Sequence, residues 1–355
     1  MPKPLISVLI DTYNHERFIE QALHSVFSQD YPAELRETIV VDDGSTDRTP
    51  EILAKFSPQI KILRKPNGGQ ASAFNQAIPH CRGEIVAFLD ADDWWKPQKL
   101  SRIAQAMAED SSIGIVGHGI INVQMDGNDV AESPRDGFYF QANTVTGARL
   151  FRRRGSFLGT SRMTIRADLL RQIGPIPSEI VIQADEYLFT LAAVMAGVRI
   201  LPDTLTYYRL HEGNSFQMTV YDTNKLRRKH TSLAVLATTL SQRMADLGLE
   251  PSVRHAVIEF TQASADRLRL TLDGGWPWQT VRTEWTLYRI LHPEATFSHR
   301  IFKFFILLGA LLTPPKLFYA TQSKLARSSL YKSARRRFLP IPEMPHIQKK
   351  PTPRP

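Results

Sequence analysis

The sequence predicts an α/β fold with a mostly parallel β-sheet flanked by helices, followed by a helical C-terminal extension. Three observations lead to this prediction. Short apolar runs alternate with helix-like amphipathic segments through the first half of the chain, and polar clusters follow several of these runs. From about residue 224 the sequence changes to long amphipathic helical patterns. Alternation of strands with helices is typical of a parallel sheet, so we expect the first part of the chain to form one.

Five apolar runs predict the strands of the first half. They are residues 6–10, 37–41, 60–64, 84–89 and 113–123. The segment 16–29 predicts the first helix, because its apolar residues form one stripe at helical spacing. Thr49 and Pro50 predict the N-cap and the first turn of the second helix. We expect a third helix over about 71–78, and a fourth that is entered through Pro97.

The rest of the chain is predicted from the same kinds of pattern. Residues 124–160 are expected to form loops, and 159–174 a strand with a short helix. A helix is expected at 185–197 and a strand-like segment at 198–211. The three long helical patterns are 224–247, 252–272 and 278–291. The predicted organisation is therefore an α/β domain over 1–222, a helical basic extension over 223–340, and a tail over 341–355 that we expect to be disordered because it is rich in Pro and Lys.

The positive charge of the chain is concentrated at its C-terminal end. The net charge is +9, and the segment from Arg300 to Pro355 holds 12 Lys and Arg residues against one acid, Glu343, so it contributes +11. The remainder then carries 9 − 11 = −2. A nucleic-acid partner for the whole protein is therefore not expected. The single cysteine, Cys81, excludes an intramolecular disulfide and suits a reducing compartment.

Neither end of the chain predicts a membrane span. The N-terminal apolar run has five residues before Asp11, which is too short for a signal-peptide core. The run from Phe304 to Leu312 is about half of the ~20 residues that a spanning helix needs, and Pro314 follows it. We therefore predict a cytoplasmic location, with peripheral attachment to the inner face of the cell membrane as a further hypothesis.

Acidic residues follow three of the predicted strands. Asp11, Asp43 and Asp90 stand where the first, second and fourth strands end, and Asp92 and Asp93 come directly after Asp90. In open α/β sheets the ligand crevice lies at the carboxyl ends of the strands, so these side chains can converge on one cleft. Two carboxylates about 4 Å apart repel by roughly 4 kcal/mol at an effective dielectric constant of ~20. A Mg²⁺ or Mn²⁺ ion that also binds a substrate diphosphate would relieve this repulsion. The alternative is a solvated acidic turn.

Four motifs in sequence give a resemblance to a known family. They are "SVLIDTYN", "IVVDDGSTD", "NGGQASAFN" and "FLDADDWWKPQKL". In this order and spacing they resemble the inverting family 2 glycosyltransferases of GT-A fold, over roughly residues 5–215. The resemblance implies transfer of a sugar from a nucleotide-sugar, commonly a UDP-sugar, to an acceptor hydroxyl with inversion at the anomeric carbon. A nucleotide-sugar binding module without catalysis is the alternative.

The resemblance also implies roles for individual residues. Residues with an expected nucleotide-sugar contact are Thr12, Tyr13, Asn14, Asp43, Asn67, Gly68, Gly69, Asp90, Asp92 and Arg209. Among these, Asp43 would hydrogen-bond the uracil and Asp90 the ribose or the sugar. Phe74 stands where many relatives have Arg, so a cation that faces the diphosphate would be Lys65 or Arg209. Metal ligands are expected to be Asp92, Asp93 and His211. The catalytic base would be Asp185 or Glu186. By position Glu186 aligns with the family's base and Asp185 with the acid before it, but the order is reversed from the usual Glu-Asp, so the sequence does not distinguish them.

The C-terminal extension predicts a surface that contacts lipid. Residues 300–340 combine large apolar side chains with Lys and Arg, a composition that can lie in the interface of an anionic membrane. We therefore expect a lipid-linked or saccharide acceptor and a contact with an anionic membrane surface. The alternative is a helix that packs on the catalytic domain and exposes its charged face to solvent.

Overall fold

The computed structural model of the chain describes residues 3–124, 127–211, 223–292 and 295–327. These residues form two compact units, 3–211 and 223–327. The domain boundary predicted between residues 222 and 223 borders a segment, 212–222, that lies outside the described residues. The predicted tail, 341–355, and the end of the basic segment, 328–340, also lie outside them.

The first unit is built on one mixed β-sheet. Its strands are β1 (Ile6–Thr12), β2 (Arg36–Asp42), β3 (Lys61–Arg64), β4 (Ile85–Asp90), β5 (Trp94–Trp95), β6 (Ile113–Val123), β7 (Val130–Glu132), β8 (Phe138–Phe140), β9 (Thr164–Arg166) and β10 (Gly197–Arg209). The main order is β3-β2-β1-β4-β9-β6-β10-β5, with β7 beside β6 and β8 beside β10. The first four strands pair in parallel, as predicted. The short strand β9 then enters between β4 and β6 and is antiparallel to both, so the sheet as a whole is mixed.

Seven α-helices accompany this sheet in the described part of the first unit. They are α1 (Ile19–Phe27), α2 (Thr49–Lys55), α3 (Gly69–Ala77), α4 (Lys99–Glu109), α5 (Val145–Arg154), α6 (Ala167–Ile173) and α7 (Ala184–Met195). Thr49 is the first residue of α2 and not its N-cap, which is Arg48. The prediction that 124–160 forms loops is wrong in part, because β7, β8 and α5 lie there. In α5 the buried apolar side chains Ala148 and Phe151 stand beside an arginine run, so its apolar face is too narrow for the sequence pattern to reveal.

The core of the first unit explains why its central strands are continuous apolar runs. β1 is buried at six of its seven positions, because helices cover both faces of a strand in the middle of such a sheet. Leu23 and Val26 of α1, Leu53 of α2 and Leu100 of α4 pack into one apolar cluster with β1. This packing holds the ends of β1, β2 and β4 in register, which is what positions the candidate site.

The second unit consists of helices in its described part. They are α8 (Thr223–Asp246), α9 (Pro251–Leu272), α10 (Pro277–Leu291), α11 (Phe297–Leu311) and α12 (Pro315–Arg327). The first three agree with the predicted helices to within one residue at each end. α11 and α12 are separated at Pro314, as the proline pair suggested. No helix in the described ranges has the length and apolar character to cross a membrane.

Candidate active site

The register of the parallel strands brings the acidic ends of β1 and β4 together. Asp11 of β1 and Asp90 of β4 are partners in the β1–β4 ladder, and Thr12 is the partner of Asp42 in the β1–β2 ladder. The predicted convergence of the polar strand ends is therefore confirmed for these strands. Asp43 follows immediately, and its N–H donates to the carbonyl of Thr12 at 2.9 Å.

Asp11 lies at the centre of this cluster with an unsatisfied oxygen. Its Oδ1 is buried and has no hydrogen-bond partner among the described residues. Burial is the main reason that the pKa of Asp11 rises to about 7, and the negative charges of Asp92, Asp43 and Asp185 add to the rise. Burial, followed by the charge of Asp11, raises the pKa of Asp90 well above its usual value. A cation at this place would relieve both effects.

Asp90 is held by two residues that the sequence patterns did not identify. Gln70 Nε2 donates to Asp90 Oδ1 at 3.1 Å, and Ser161 Oγ donates to Asp90 Oδ2 at 3.3 Å. The N–H of Asp90 in turn donates to Ser161 Oγ at 3.0 Å. Gln70 stands in the "NGGQ" motif, so the sequence indicated that it lies near the site. Ser161 lies 71 residues away along the chain and gave none.

Two predicted metal ligands form a pair. His211 Nε2 and Asp92 Oδ2 are 2.9 Å apart, and both side chains are largely buried. The imidazole ring also packs on Phe18, with 4.9 Å between the ring centroids. The structure therefore brings Asp92 and His211 together, although 119 residues separate them in the sequence.

Asp93 lies deeper than its neighbour. It is 1% exposed, and its Oδ1 accepts a hydrogen bond from the backbone N–H of Arg209 at 3.0 Å. Burial, followed by the charge of Asp92, raises the pKa of Asp93 to about 8. Of the two predicted carboxylate ligands, Asp92 is thus the more accessible one.

Arg209 holds the loop that carries these aspartates. Its guanidinium group lies between the rings of Phe18 and Trp94, at 4.7 and 4.5 Å from their centroids. Arg209 Nε donates to the carbonyl of Asp92 at 2.9 Å, and Nη2 donates to Gln21 Oε1. In this arrangement the predicted diphosphate-binding arginine positions the acidic loop.

The predicted uracil contact, Asp43, caps a helix. Its Oδ2 accepts from the N–H of Gly69 at 2.7 Å, and its Oδ1 accepts from the N–H of Gly68 at 3.0 Å and from Lys65 Nζ. These amides open α3, where a carboxylate is favoured by the helix dipole. Gly69 has φ of +81°, a conformation that a side chain would strain. Asn67, in the same loop, is exposed.

The three residues predicted to contact the ligand at the end of β1 and in the loop after it differ in burial and in hydrogen bonding. Thr12 is buried, whereas the side chain of Tyr13 is 44% exposed. Asn14 adopts φ of +57°, and its Oδ1 accepts from the N–H of Thr46 at 2.8 Å. Asn14 therefore ties this loop to the loop that follows β2, and the exposed ring of Tyr13 is accessible to a ligand.

The two candidate bases begin α7. Asp185 Oδ2 accepts from the N–H of Thr160 at 3.2 Å, and burial raises the pKa of Asp185. Glu186 Oε2 accepts from Gln183 Nε2 at 2.8 Å. The charge of Asp185 acts on both Asp11 and Asp90, so Asp185 faces the same cleft.

A buried lysine lies beneath the acidic residues. Lys99 is 0% exposed, and its Nζ donates to the carbonyl of Ser161 at 2.7 Å. The same carbonyl accepts from Trp95 Nε1 and Thr206 Oγ1, at 3.2 and 2.8 Å. Burial lowers the pKa of Lys99 well below its usual value, and the charges of Asp93 and Asp90 oppose this shift. A lysine in a helical pattern ordinarily predicts an exposed position, so the sequence did not indicate this role.

The donor atoms of the cleft suit a divalent ion that shares its coordination with a ligand. No group of three or more His, Cys, Asp or Glu side chains among the described residues is arranged to hold a metal by itself. Asp92, paired with His211, and the unsatisfied Asp11 Oδ1 offer oxygen and imidazole donors. Mg²⁺ and Mn²⁺ commonly take one or two protein carboxylates and complete their shell with water and substrate phosphates. The residues present therefore fit such an ion.

Comparison with known proteins identifies the family. The model of the Glycosyl transferase family 2 matches residues 7–174. A glycosyltransferase of Nostoc sp. is 32% identical over 231 residues, which cover 63% of this chain and 70% of that protein. The poly(ribitol-phosphate) beta-N-acetylglucosaminyltransferase TarS of Staphylococcus aureus is 30% identical over 208 residues, 57% of this chain and 35% of TarS.

Solved structures agree on the fold. S. aureus TarS 1–349 matches with a TM-score of 0.53 at 20% identity, over 80% of each chain. The mannosyltransferase PcManGT from Pyrobaculum calidifontis, solved with GDP-Man and Mn²⁺, also has a TM-score of 0.53 at 20% identity, over 94% of this chain and 83% of that one. Together with the sequence relatives they confirm the GT-A fold. The chain therefore belongs to glycosyltransferase family 2, and it is a glycosyltransferase that draws its sugar from a nucleotide-sugar.

Proposed function

We propose that this glycosyltransferase is metal-dependent and inverting, and that it transfers a sugar from a UDP-sugar to a hydroxyl of a lipid-linked or saccharide acceptor. The observation that carries the proposal is the meeting of Asp11, Asp90 and the Asp92–His211 pair at the carboxyl edge of the sheet. TarS was solved with UDP-GlcNAc, which supports a UDP-sugar as the donor. PcManGT was solved with GDP-Man, so a GDP-sugar is the alternative donor. The relatives TuaG, named for teichuronic acid biosynthesis, and chondroitin synthase support a role in polysaccharide synthesis.

The proposed donor site assigns separate tasks to the chain's residues. Asp92 and His211 would hold Mn²⁺ or Mg²⁺, which when bound neutralises the charge that develops on the departing diphosphate. Asp90, already oriented by Gln70 and Ser161, would bind the ribose or the sugar. Tyr13, which is exposed, would contact the nucleotide.

Asp185 is the catalytic base that we propose. Desolvation raises the pKa of Asp185, which is the direction that strengthens a carboxylate as a general base. The acceptor hydroxyl would lose its proton to Asp185 as its oxygen forms the new glycosidic bond on the face opposite the departing diphosphate. Glu186, which accepts from Gln183, would orient the start of α7.

Ligand-induced stabilisation tests the donor and metal assignments. We expect a UDP-sugar to raise the thermal midpoint in the presence of Mn²⁺ and to have little effect in EDTA, because a ligand that binds the native state stabilises it. Asp92→Asn should remove the Mn²⁺-dependent part of the rise in thermal midpoint. Asp30→Asn, at an exposed position, should not remove it. Equal stabilisation in EDTA would count against a metal-dependent site.

Sugar transfer with release of free UDP tests the base. We expect Asp185→Asn to lower kcat by about 10²-fold or more, the typical contribution of a general base, with UDP-sugar binding retained. Glu186→Gln should have a smaller effect, because an amide oxygen can still accept from Gln183. The reverse order of the two effects would assign the base to Glu186.

We further propose that the second unit attaches to an anionic membrane surface. Large apolar side chains on α11 are exposed, among them Phe297, Phe304, Phe305 and Leu308. Arg300 and Lys316 are exposed nearby in the sequence, and residues 295–342 contain no Asp or Glu. Apolar side chains with basic neighbours bind anionic lipid by burial and by charge together.

A further inference from the structure

The first unit contains a cavity of about 580 Å³ that none of the roles above uses. Two stretches of chain line it, Ala131 of β7 with residues 133–135 that follow this strand, and residues 202–205 of β10, together with Lys96 and Arg102 near the start of α4. Its volume lies within the range of small-molecule sites, about 300–1,000 Å³. It is large enough for part of an oligosaccharide.

An irregularity in β10 forms one wall of this cavity. Leu201 pairs with His118 of β6 and Thr204 with the next residue, Gly119, so Pro202 and Asp203 have no partner in β6. A second register shift follows between Thr204 and Thr206. Bulges of this kind bend a strand, re-aim its side chains and are over-represented beside active sites. Here the bulged residues 202–205 face the cavity.

The cavity has an excess of positive charge. Its lining includes three cations, Lys96, Arg102 and Arg135, against one carboxylate, Asp203. Asp203 is engaged by Arg102, with Nε to Oδ1 at 3.3 Å and Nη2 to Oδ2 at 3.1 Å. The charges of Lys96 and Arg135 therefore remain to attract an anion. Lys96 Nζ donates to a neutral group, Thr204 Oγ1, at 2.9 Å. Burial lowers the pKa of Lys96, and the charge of Asp203 opposes this shift.

A stack of rings and cations connects the cavity with the acidic site. The guanidinium of Arg209, bonded to the carbonyl of Asp92, lies over Trp94 at 4.5 Å. Trp94 is stacked on Tyr207, with 5.0 Å between centroids and 11° between planes. Lys96 Nζ lies 5.8 Å from the centroid of Tyr207. The cavity therefore begins one aromatic stack away from the loop that holds Asp92.

We propose that this cavity is an acceptor subsite that binds a carboxylate or phosphate group of an anionic saccharide, through Lys96 and Arg135. The proposal rests on the transferase function proposed above. An anionic unit of the acceptor would be held in the cavity while another unit presents its hydroxyl at the acidic site. The Arg209–Trp94–Tyr207 stack would fix the distance between the two.

Calorimetric titration of the full chain in EDTA tests the subsite without the metal site. The probes are trigalacturonate for a carboxylate, tripolyphosphate for a phosphate, and maltotriose as the neutral analogue. We expect at least one anionic probe to bind and maltotriose not to bind. Binding of only one anion identifies the group that the cavity prefers. If neither anionic probe binds, the proposal is wrong.

Removal of positive charge from the cavity tests whether the anionic probe binds there. Lys96→Met/Arg135→Met should weaken binding of the anionic probe by about tenfold or more, since tenfold corresponds to about 1.4 kcal/mol. Lys55→Met/Arg171→Met removes two exposed charges from α2 and α6, away from the cavity lining, and should leave the affinity unchanged. Equal weakening in both variants would show a nonspecific charge effect and overturn the proposal. Arg135→Met alone, at an exposed loop position, gives a second measurement if the double variant is unstable.

Donor binding separates this proposal from the one on which it rests. UDP-sugar binding in Mn²⁺ should be the same in wild type and in Lys96→Met/Arg135→Met, because neither side chain belongs to the proposed donor site. If the wild type binds the anion but no nucleotide-sugar, the assignment of the acidic site fails and the cavity is still an anion site. If nucleotide-sugar binds and no anion does, the subsite alone is refuted.

Discussion

At the scale of single residues, the carboxylates of the acidic site lower the stability of the folded chain. Asp11, Asp90 and Asp93 are carboxylates whose pKa values are all raised, with desolvation as the first cause. Desolvation disfavours the charged form of each, and their mutual repulsion adds to it. Ser161 and Gln70 reduce this cost by donating hydrogen bonds to Asp90. The site is therefore prepared for a cation by residues that would not touch it.

Asp11→Asn should make the stability of the chain less sensitive to pH. The pKa of Asp11 rises on folding to about 7, so the native state binds the proton more tightly than the unfolded chain does. The stability contributed by this proton is complete below the unfolded pKa of about 4 and is lost as pH rises to about 7. In EDTA, we therefore expect Asp11→Asn to raise the thermal midpoint at pH 8 and to change it little below pH 4. A fall of the thermal midpoint by the same amount at both pH values would contradict a raised pKa of Asp11.

Ser161→Ala should destabilise the protein by about 1–3 kcal/mol, because it removes the Ser161 hydrogen bonds to the backbone N–H and to Oδ2 of Asp90. Urea denaturation measures the change. Ser101→Ala, which removes an exposed hydroxyl from α4, is the control and should remain within about 0.5 kcal/mol of wild type. No difference between the two variants would mean that Ser161 does not support Asp90.

At the scale of elements, the site depends on hydrogen bonds made at the ends of strands and helices. Asp43 caps α3, Arg209 at the end of β10 holds the loop between β4 and β5, and Thr160 donates to Asp185 at the start of α7. In the second unit, Glu284 of α10 pairs with Arg267 of α9 and Lys303 of α11 at 3.0 Å each. Each contact fixes one element against another through a single charged residue.

Gly69→Ala tests the close approach at the start of α3. An alanine there would pay roughly 1–2 kcal/mol for its left-handed backbone, and its Cβ would also lie 2.9 Å from the carbonyl oxygen of Val181. Gly174→Ala also places an alanine at a positive φ, +74°, with nothing within 4 Å of its Cβ, so it lacks the contact with Val181. We expect Gly69→Ala to lower the free energy of unfolding more than Gly174→Ala does. Equal losses would show that α3 can move away from Val181.

At the scale of the whole molecule, charge and exposed apolar surface are distributed unequally along the chain. The segment 295–342 carries nine Lys and Arg residues and no acid. Exposed aromatic side chains also concentrate in the second unit, among them Trp276, Trp278 and Trp285. Tryptophan is enriched at membrane interfaces, where one end of its ring is apolar and the other is solvated. This distribution supports the proposed contact with anionic lipid.

Phe304→Glu/Phe305→Glu should abolish sedimentation of the full chain with anionic phosphatidylglycerol vesicles at low salt. The change replaces two exposed apolar rings by charges that the lipid repels. Thr231→Glu/Thr238→Glu adds the same charge at exposed positions of α8 and should still sediment. The membrane proposal fails if the wild type does not sediment, or if both variants lose sedimentation equally.

The sequence by itself determined the alternation of strands and helices, the parallel β1–β4 region and the carboxylates at its edge. These features follow from local periodicity and from the shared direction of parallel strands. Only the tertiary structure decided that β9 inserts antiparallel, that Asp43 caps α3, and that Lys99 is buried. The physical reason is that these depend on contacts between distant residues, such as Asp92 with His211 across 119 positions, which no local pattern encodes.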